Sequence, residues 1–244
     1  MPADRGPIGL VVFDLDGTLV DSSVDIADAA NALLVELGGA PQPIAAVVEM
    51  VGDGAPLLVK RALAAASLDP DTPDALERFL AIYDSRLLVH TTPYDGMVDV
   101  LTWIGGRMPM SVLTNKPARP TALMLDGLGL RRHFRDVVGG DTPFGRKPDP
   151  AGLLHLASAA GVAAEDTLMV GDSPVDLETA RNAGTRICLV RYGFGFRFRP
   201  GDFRGDELFV DSPADLIALL RGVSGDRQVG AVREPPYSDI LRYL

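Results

Sequence analysis

Four short apolar runs constrain this chain more than any other feature, because each is long enough for a buried strand and too short for a helix. They are Ile8–Phe13, Met110–Leu113, Thr167–Val170 and Thr185–Val190. Their β-branched content and flanking turn residues mark them as strands. Asp136–Val138 and Leu208–Val210 are weaker candidates. Helical patterns lie between them, at Met97–Ile104, Ala118–Leu128, Ala151–Ala160, Val175–Ala183 and Pro213–Leu220. Strand alternating with helix predicts an α/β fold with a mostly parallel sheet flanked by helices on both faces.

One stretch breaks the alternation. Residues 22–92 show only helical patterns: Val24–Leu37, Ile44–Val51, Pro56–Ala66 and Pro73–Val89. Gly38-Gly39, Gly52-Asp53-Gly54 and Leu68-Asp69-Pro70-Asp71 separate them. This reads as a small helical domain inserted after the first strand, with Thr91–Gly96 as the return linker. The expected organisation is a core of 1–21 and 93–221, a helical insert at 22–92, and a C-terminal extension of unknown role at 222–244.

Composition narrows the function. The net charge of -10 argues against nucleic acid or an anionic membrane as the main partner. No apolar run approaches the roughly 20 residues needed to span a bilayer. The opening segment has too short an apolar stretch for a signal peptide, so a cytoplasmic location is expected. Cys188 is the single cysteine, which excludes an internal disulfide or a cysteine-based zinc site.

Polar residues follow the apolar runs directly. The first run leads into Asp14 and Asp16, the second into Thr114-Asn115, the third into Asp172 with Asp176 four residues on. Lys147 lies in the loop between the second and third. In a parallel α/β sheet the carboxyl ends of the strands share one edge, where ligands bind. Asp and Asn begin many turns after strands, but that reading does not account for all of these residues together. Two ionised carboxylates about 4 Å apart repel by roughly 4 kcal/mol at an effective dielectric near 20. Lys147 alone cannot balance three. A hard divalent ion such as Mg²⁺, bound by carboxylates and sharing substrate phosphate oxygens, is the natural partner. Thr114, Lys147 and nearby backbone N–H groups suit phosphate oxygens. The pattern therefore points to phosphoryl transfer to an enzyme aspartate.

The segment Phe13-Asp14-Leu15-Asp16-Gly17-Thr18-Leu19-Val20-Asp21 resembles the first motif of the haloacid dehalogenase superfamily in its phosphatase form. Thr114-Asn115, Lys147-Pro148 and Gly171-Asp172-Ser173-Pro174-Val175-Asp176 resemble its other three motifs, in order. The resemblance implies a Rossmann-like core and a four-helix cap. It implies Asp14 as nucleophile and Asp16 as general acid and then base, with the Asp16 backbone carbonyl facing the metal. It further implies Thr114, Asn115 and Lys147 on the phosphoryl group, Asp172 on Mg²⁺, Thr18 positioning Asp16, and Asp176 orienting metal-bound water or Lys147. Asp21 reads as a helix cap.

Within the superfamily, Val51-Gly52-Asp53-Gly54 through Lys60-Arg61, and Pro93-Tyr94-Asp95-Gly96, resemble the phosphoglycolate phosphatase branch. On that resemblance Arg61 is the candidate for a substrate carboxylate, and the partner is a small phosphorylated metabolite handled by a monomer or homodimer. Phosphosugar mutase or pyrophosphatase chemistry on the same scaffold, and an inactive binding module, are the alternatives. Several other features are set aside. Gly140–Lys147 is a near miss for a nucleotide loop. Cys188 reads as a buried small hydrophobe, and His90, His133 and His155 have no catalytic spacing. The aromatic and basic tract Arg191–Arg204 reads as a loop at the rim of the site or a packed surface flap.

Overall fold

The computed structural model describes residues 6–199 and 201–223. The elements are β1 (Leu10–Phe13), β2 (Val20–Asp21), α1 (Ser23–Glu36), α2 (Ile44–Val48), α3 (Ala55–Ala65), α4 (Ala75–Asp84) and β3 (Thr92–Pro93). There follow α5 (Met97–Gly105), β4 (Met110–Leu113), α6 (Ala118–Gly127), β5 (Val137–Val138), α7 (Ala151–Ala160), β6 (Thr167–Gly171), α8 (Pro174–Ala183), β7 (Arg186–Val190), β8 (Leu208–Val210) and α9 (Pro213–Val223). Of the expected C-terminal extension, Gly222 and Val223 continue α9, and 224–244 lie outside the described residues.

Six strands form one parallel sheet in the order β5-β4-β1-β6-β7-β8. The chain winds from β1 through β4 to β5, then returns to the other side of β1 for β6. That reversal opens a crevice at the carboxyl ends of the central strands. Alternation along β1 sorts its side chains by face. Val11 and Phe13 join a cluster with Met97, Leu101, Ile104, Met124, Leu216 and Leu220 of α5, α6 and α9. Leu10 and Val12 join Leu153, Leu156, Leu177 and Ala180 of α7 and α8 on the opposite face. Burial on both faces explains why the strands read as continuous apolar runs.

Between β2 and β3 the chain is helical, as expected, and α1 packs against α2, α3 and α4. The two ends of this insert pair with each other. Val20 opposes Pro93 and Asp21 opposes Thr92 in a two-residue antiparallel ladder, too short for any periodicity to announce it. Asp21 Oδ1 accepts from the Ser23 N–H at 3.0 Å and from Ser23 Oγ at 2.6 Å, fixing the start of α1. The last helix of the insert is shorter than its pattern suggests. Asp74 has φ +59, which delays its start. Its far end stops at Asp84, and downstream the chain is drawn aside by Asp25 of α1. The buried Asp25 carboxylate accepts from the N–H of His90 at 3.0 Å and of Thr91 at 2.8 Å, and from Thr91 Oγ1 at 2.7 Å. Among the described residues no helix is long and apolar enough to cross a membrane.

Asp25 therefore fastens the return strand to the first helix of the insert. Asp25→Ala strands buried donors, and the expected cost is about 3 kcal/mol, or a Tm lowered by roughly 6–12 °C in a chain of this size. Urea and thermal unfolding check this, with Asp25→Asn losing less. An unchanged midpoint would show that the ladder alone holds the junction.

Candidate active site

The sheet delivers its polar residues to one place. Asp14 N donates to Val170 O at 2.9 Å and Thr114 N to Val138 O at 3.0 Å, so both residues leave their strands in register with a neighbour. Asp172 follows β6 directly. Asp176 lies in the first turn of α8, where a reciprocal cap holds it: Ser173 N and Oγ donate to Asp176 Oδ2 at 3.0 and 2.6 Å. Carboxylate oxygens of Asp14, Asp172 and Asp176 all lie within 4.8 Å of one another, and all three residues are buried. Lys147 Nζ sits between two of them, 2.7 Å from Asp14 Oδ1 and 2.6 Å from Asp176 Oδ1. The third, Asp172, accepts from the Gly195 N–H at 2.7 Å and from Thr18 Oγ1 at 3.4 Å. Gly17 has φ +85, and a Cβ there would collide with Asp172 Oδ2. The turn after Asp16 thus requires glycine twice over, for its backbone angle and for its neighbour.

Charge in this cluster is unbalanced. Burial, reinforced by Asp176 and only partly opposed by Lys147, pushes the Asp14 carboxyl up to about 7. Asp172 is also raised, by burial and then by Asp176 and Asp14. Burial works against the Lys147 ammonium, but Asp14 and Asp176 outweigh it and the net shift is upward. Three buried carboxylates balanced by a single ammonium fit a hard divalent cation. No ligand set made of thiolate or imidazole is present in this group.

The Asp16 carboxylate lies outside this group, which leaves its backbone carbonyl for the part expected of it at the metal. It accepts from Ser22 Oγ at 2.5 Å and from Lys116 Nζ at 3.0 and 3.1 Å. Lys116 is a site residue that the sequence reading missed, although it directly follows Thr114-Asn115. Its ammonium also donates to the Tyr83 hydroxyl of α4 at 2.6 Å. The Asn115 amide nitrogen donates to Gly52 O and to Lys147 O, each at 3.0 Å, while its Oδ1 is buried without a partner. Asn115 therefore joins the insert to the Lys147 loop.

A cleft of about 680 Å³, including its mouth, runs between these groups and the insert. Asp14, Asp16, Thr114, Lys116, Lys147 and Asp172 line one side, and Ile26, Val51, Leu58, Phe79, Leu80 and Tyr83 the other. Arg61 is not among the lining residues. Its guanidinium pairs with Asp53 at 2.7 Å and donates to Met50 O at 3.0 Å, so it braces the loop behind Gly52. The tract after β7 does reach the rim through Phe194 and Gly195. Phe196, Phe198 and Phe203 pack against the core, and Arg197 donates to Val48 O and Glu49 O at the end of α2. Cys188 is buried within β7. His155 stacks on Phe144 at 3.9 Å.

The family model described as haloacid dehalogenase-like hydrolase matches residues 11–190. A phosphoglycolate phosphatase of Pseudomonas putida is 42% identical over 218 residues, covering 87% of this chain and 79% of the relative. One of Rhodospirillum rubrum is 46% identical over 192 residues, covering 75% and 80%. A crystal structure described as a predicted phosphoglycolate phosphatase from Haemophilus somnus superposes with a TM-score of 0.80 at 28% identity, covering 87% of this chain and 97% of that one.

The raised Asp14 carboxyl has a consequence for stability without metal. Between its ordinary value of 3.8 and about 7, the folded protein holds the Asp14 proton more tightly than the unfolded chain does. Stability from this group therefore falls as pH rises through that window. In EDTA, Asp14→Asn should gain stability over the unmodified protein as pH rises from about 4 to about 7, then hold that lead. Urea titrations across pH measure it. Parallel curves for the two proteins would contradict the electrostatic account.

Proposed function

The chain belongs to the haloacid dehalogenase-like hydrolases and is a phosphatase, and from that premise we propose that it hydrolyses 2-phosphoglycolate, with Asp14 as nucleophile. The observation that carries this reading is the buried Asp14 carboxylate held by Lys147 beside Asp172 at the carboxyl edge of the sheet. The names of the relatives supply the substrate, and the small cleft under an apolar wall suits it.

In the proposed reaction an Asp14 oxygen attacks phosphorus while the bond to the glycolate oxygen breaks. Asp16 gives that oxygen a proton. Its carboxylate then takes a proton from a water molecule as this water attacks the phosphorus of the aspartyl-phosphate, releasing phosphate and regenerating Asp14. Thr114 and Lys147 hold phosphoryl oxygens, and Asn115 fixes Lys147 through its carbonyl. Asp176 holds the Lys147 ammonium from behind, and Thr18 steadies the turn carrying Asp16. Mg²⁺ fits the donor set of Asp14, Asp172 and the Asp16 backbone carbonyl, and when bound it would neutralise charge on the phosphoryl oxygens.

Residues 22–92 act in this reading as a cap on a Rossmann-like core of 1–21 and 93–221. The β2–β3 ladder is the hinge, and closure excludes bulk water from the reacting oxygen. A cytoplasmic enzyme, monomeric or homodimeric and without nucleic-acid partners, accords with the acidic charge and the lone buried cysteine.

A turnover panel with Mg²⁺ across 2-phosphoglycolate, hexose phosphates, nucleotides and pyrophosphate tests the substrate. The expected result is a kcat/KM for 2-phosphoglycolate at least ~10-fold above every other compound, about 1.4 kcal/mol of discrimination. Preference for pyrophosphate or a hexose phosphate would replace the substrate. Asp14→Asn should lose activity by roughly 10⁴-fold while keeping its circular dichroism. EDTA should stop turnover and Mg²⁺ restore it. Persistent activity in the variant would remove Asp14 as nucleophile, and persistent activity in EDTA would remove the metal.

A further inference from the structure

The cleft contains a cation that the reaction above does not use. Among the described residues lining it, only Lys147 and Lys116 are positively charged. Lys147 is committed to Asp14 and Asp176, on the side where phosphorus is attacked. Lys116 pairs instead with Asp16, at 3.0 Å, with its side chain only 5% exposed. Across the cleft from it stand the apolar wall of the insert and the Tyr83 hydroxyl, which Lys116 reaches at 2.6 Å.

Position follows from the chemistry of the ester. Asp16 must come within hydrogen-bond reach of the leaving oxygen to protonate it. In 2-phosphoglycolate one methylene separates that oxygen from the carboxyl carbon, so the carboxylate lies on the order of 3 Å beyond it. Any group touching Asp16 on the cleft side is then within reach of the substrate carboxylate. Without a cation there, the substrate carboxylate would be buried against the apolar wall of the insert with no partner for its charge. Tyr83 adds a neutral donor, because burial pushes its hydroxyl up to about 12. Its ring is held in place by stacking on Phe79 at 5.8 Å.

We propose that Lys116, with the Tyr83 hydroxyl beside it, reads the leaving group, and that the enzyme selects phosphate esters of 2-hydroxy acids by binding their carboxylate there. This rests on the phosphatase reading and gives to Lys116 the task that the sequence suggested for Arg61. An ammonium has three N–H donors. The nearly equal distances to the two Asp16 oxygens allow one N–H to serve both, so a further N–H is free to reach the substrate. Because Tyr83 comes from α4, the same carboxylate draws the insert onto the core.

The experiment compares 2-phosphoglycolate with 2-hydroxyethyl phosphate, which keeps the ester oxygen and the length but lacks the charge. Lys116→Met should lose about 100-fold in kcat/KM for 2-phosphoglycolate beyond whatever it loses for the neutral ester, a differential typical of removing one partner of a buried charged pair. Tyr83→Phe, which leaves the stacking intact, should raise KM for 2-phosphoglycolate roughly 5-fold, consistent with one lost hydrogen bond, and raise KM for the neutral ester by clearly less. It also keeps the proposal open to refutation if Lys116→Met does not fold. Lys116→Arg should retain most of the selectivity. Equal losses on both esters would overturn the proposal and leave Lys116 as a support for Asp16, with the substrate reading intact. Unmodified enzyme that turns over both esters equally would overturn the substrate reading itself.

Discussion

Two buried ion pairs made by one ammonium set the terms for this molecule. Lys147 lies between Asp14 and Asp176, and a third carboxylate, Asp172, is close by with no cation of its own. Buried carboxylates in such a group are costly unless paired. The fold accepts that cost because its topology leaves little choice. The central strand β1 has neighbours on both sides that end at the same edge, so the residues after β1 and β6 must meet. The fine placement is then made by local devices: the reciprocal cap between Ser173 and Asp176, and the glycine at 17 that lets a turn pass over Asp172. What results is a site with an unmet demand for positive charge, which is a useful property where an anionic phosphoryl group and a divalent ion are to be bound together.

The second constraint is the route by which the insert reports to that site. Its two connections to the sheet are zipped into the β2–β3 ladder and tied by Asp25, so it joins the core through a short, braced junction. Two consecutive residues after β4 touch it directly. Asn115 bonds Gly52 and the Lys147 carbonyl, and Lys116 bonds Tyr83 and the Asp16 carboxylate. A shift of the insert would thus be felt on one side by the cation at Asp14 and on the other by the Asp16 carboxylate. Arg197 adds a third clasp, from the loop whose Gly195 N–H binds Asp172.

Much of this was legible in the amino-acid sequence, for reasons that can be named. The long strands are buried on both faces, so their apolar runs needed no alternation to be recognised. Asp14, Asp172 and Thr114 sit at strand ends, where chain order and topology together fix position. The readings that went astray depend on side-chain contacts that appear only in the folded chain. Helix α4 ends at Asp84 rather than continuing, and the chain beyond it, at His90, is taken up by Asp25, 65 residues earlier. Arg61 has the charge expected of a carboxylate reader, but Asp53 is near enough to claim it. Lys116 carried the right charge beside a recognised pair, and only the tertiary structure shows that its ammonium turns inward.

The contrast between Arg61 and Lys116 bears on how such a site gains selectivity. An exposed guanidinium paired with an exposed carboxylate gives little net energy, because water and salt screen it. The same charge placed under an apolar wall acts at a lower effective dielectric and cannot be replaced by water. Lys116 already has Asp16 as partner, and its net shift is upward despite burial, so its charge is secure before any ligand arrives. Under the proposal a neutral leaving group gains nothing from that charge, whereas a carboxylate completes it. Selectivity of this kind would follow from one buried cation and a hydroxyl supplied by the insert, with no larger recognition surface.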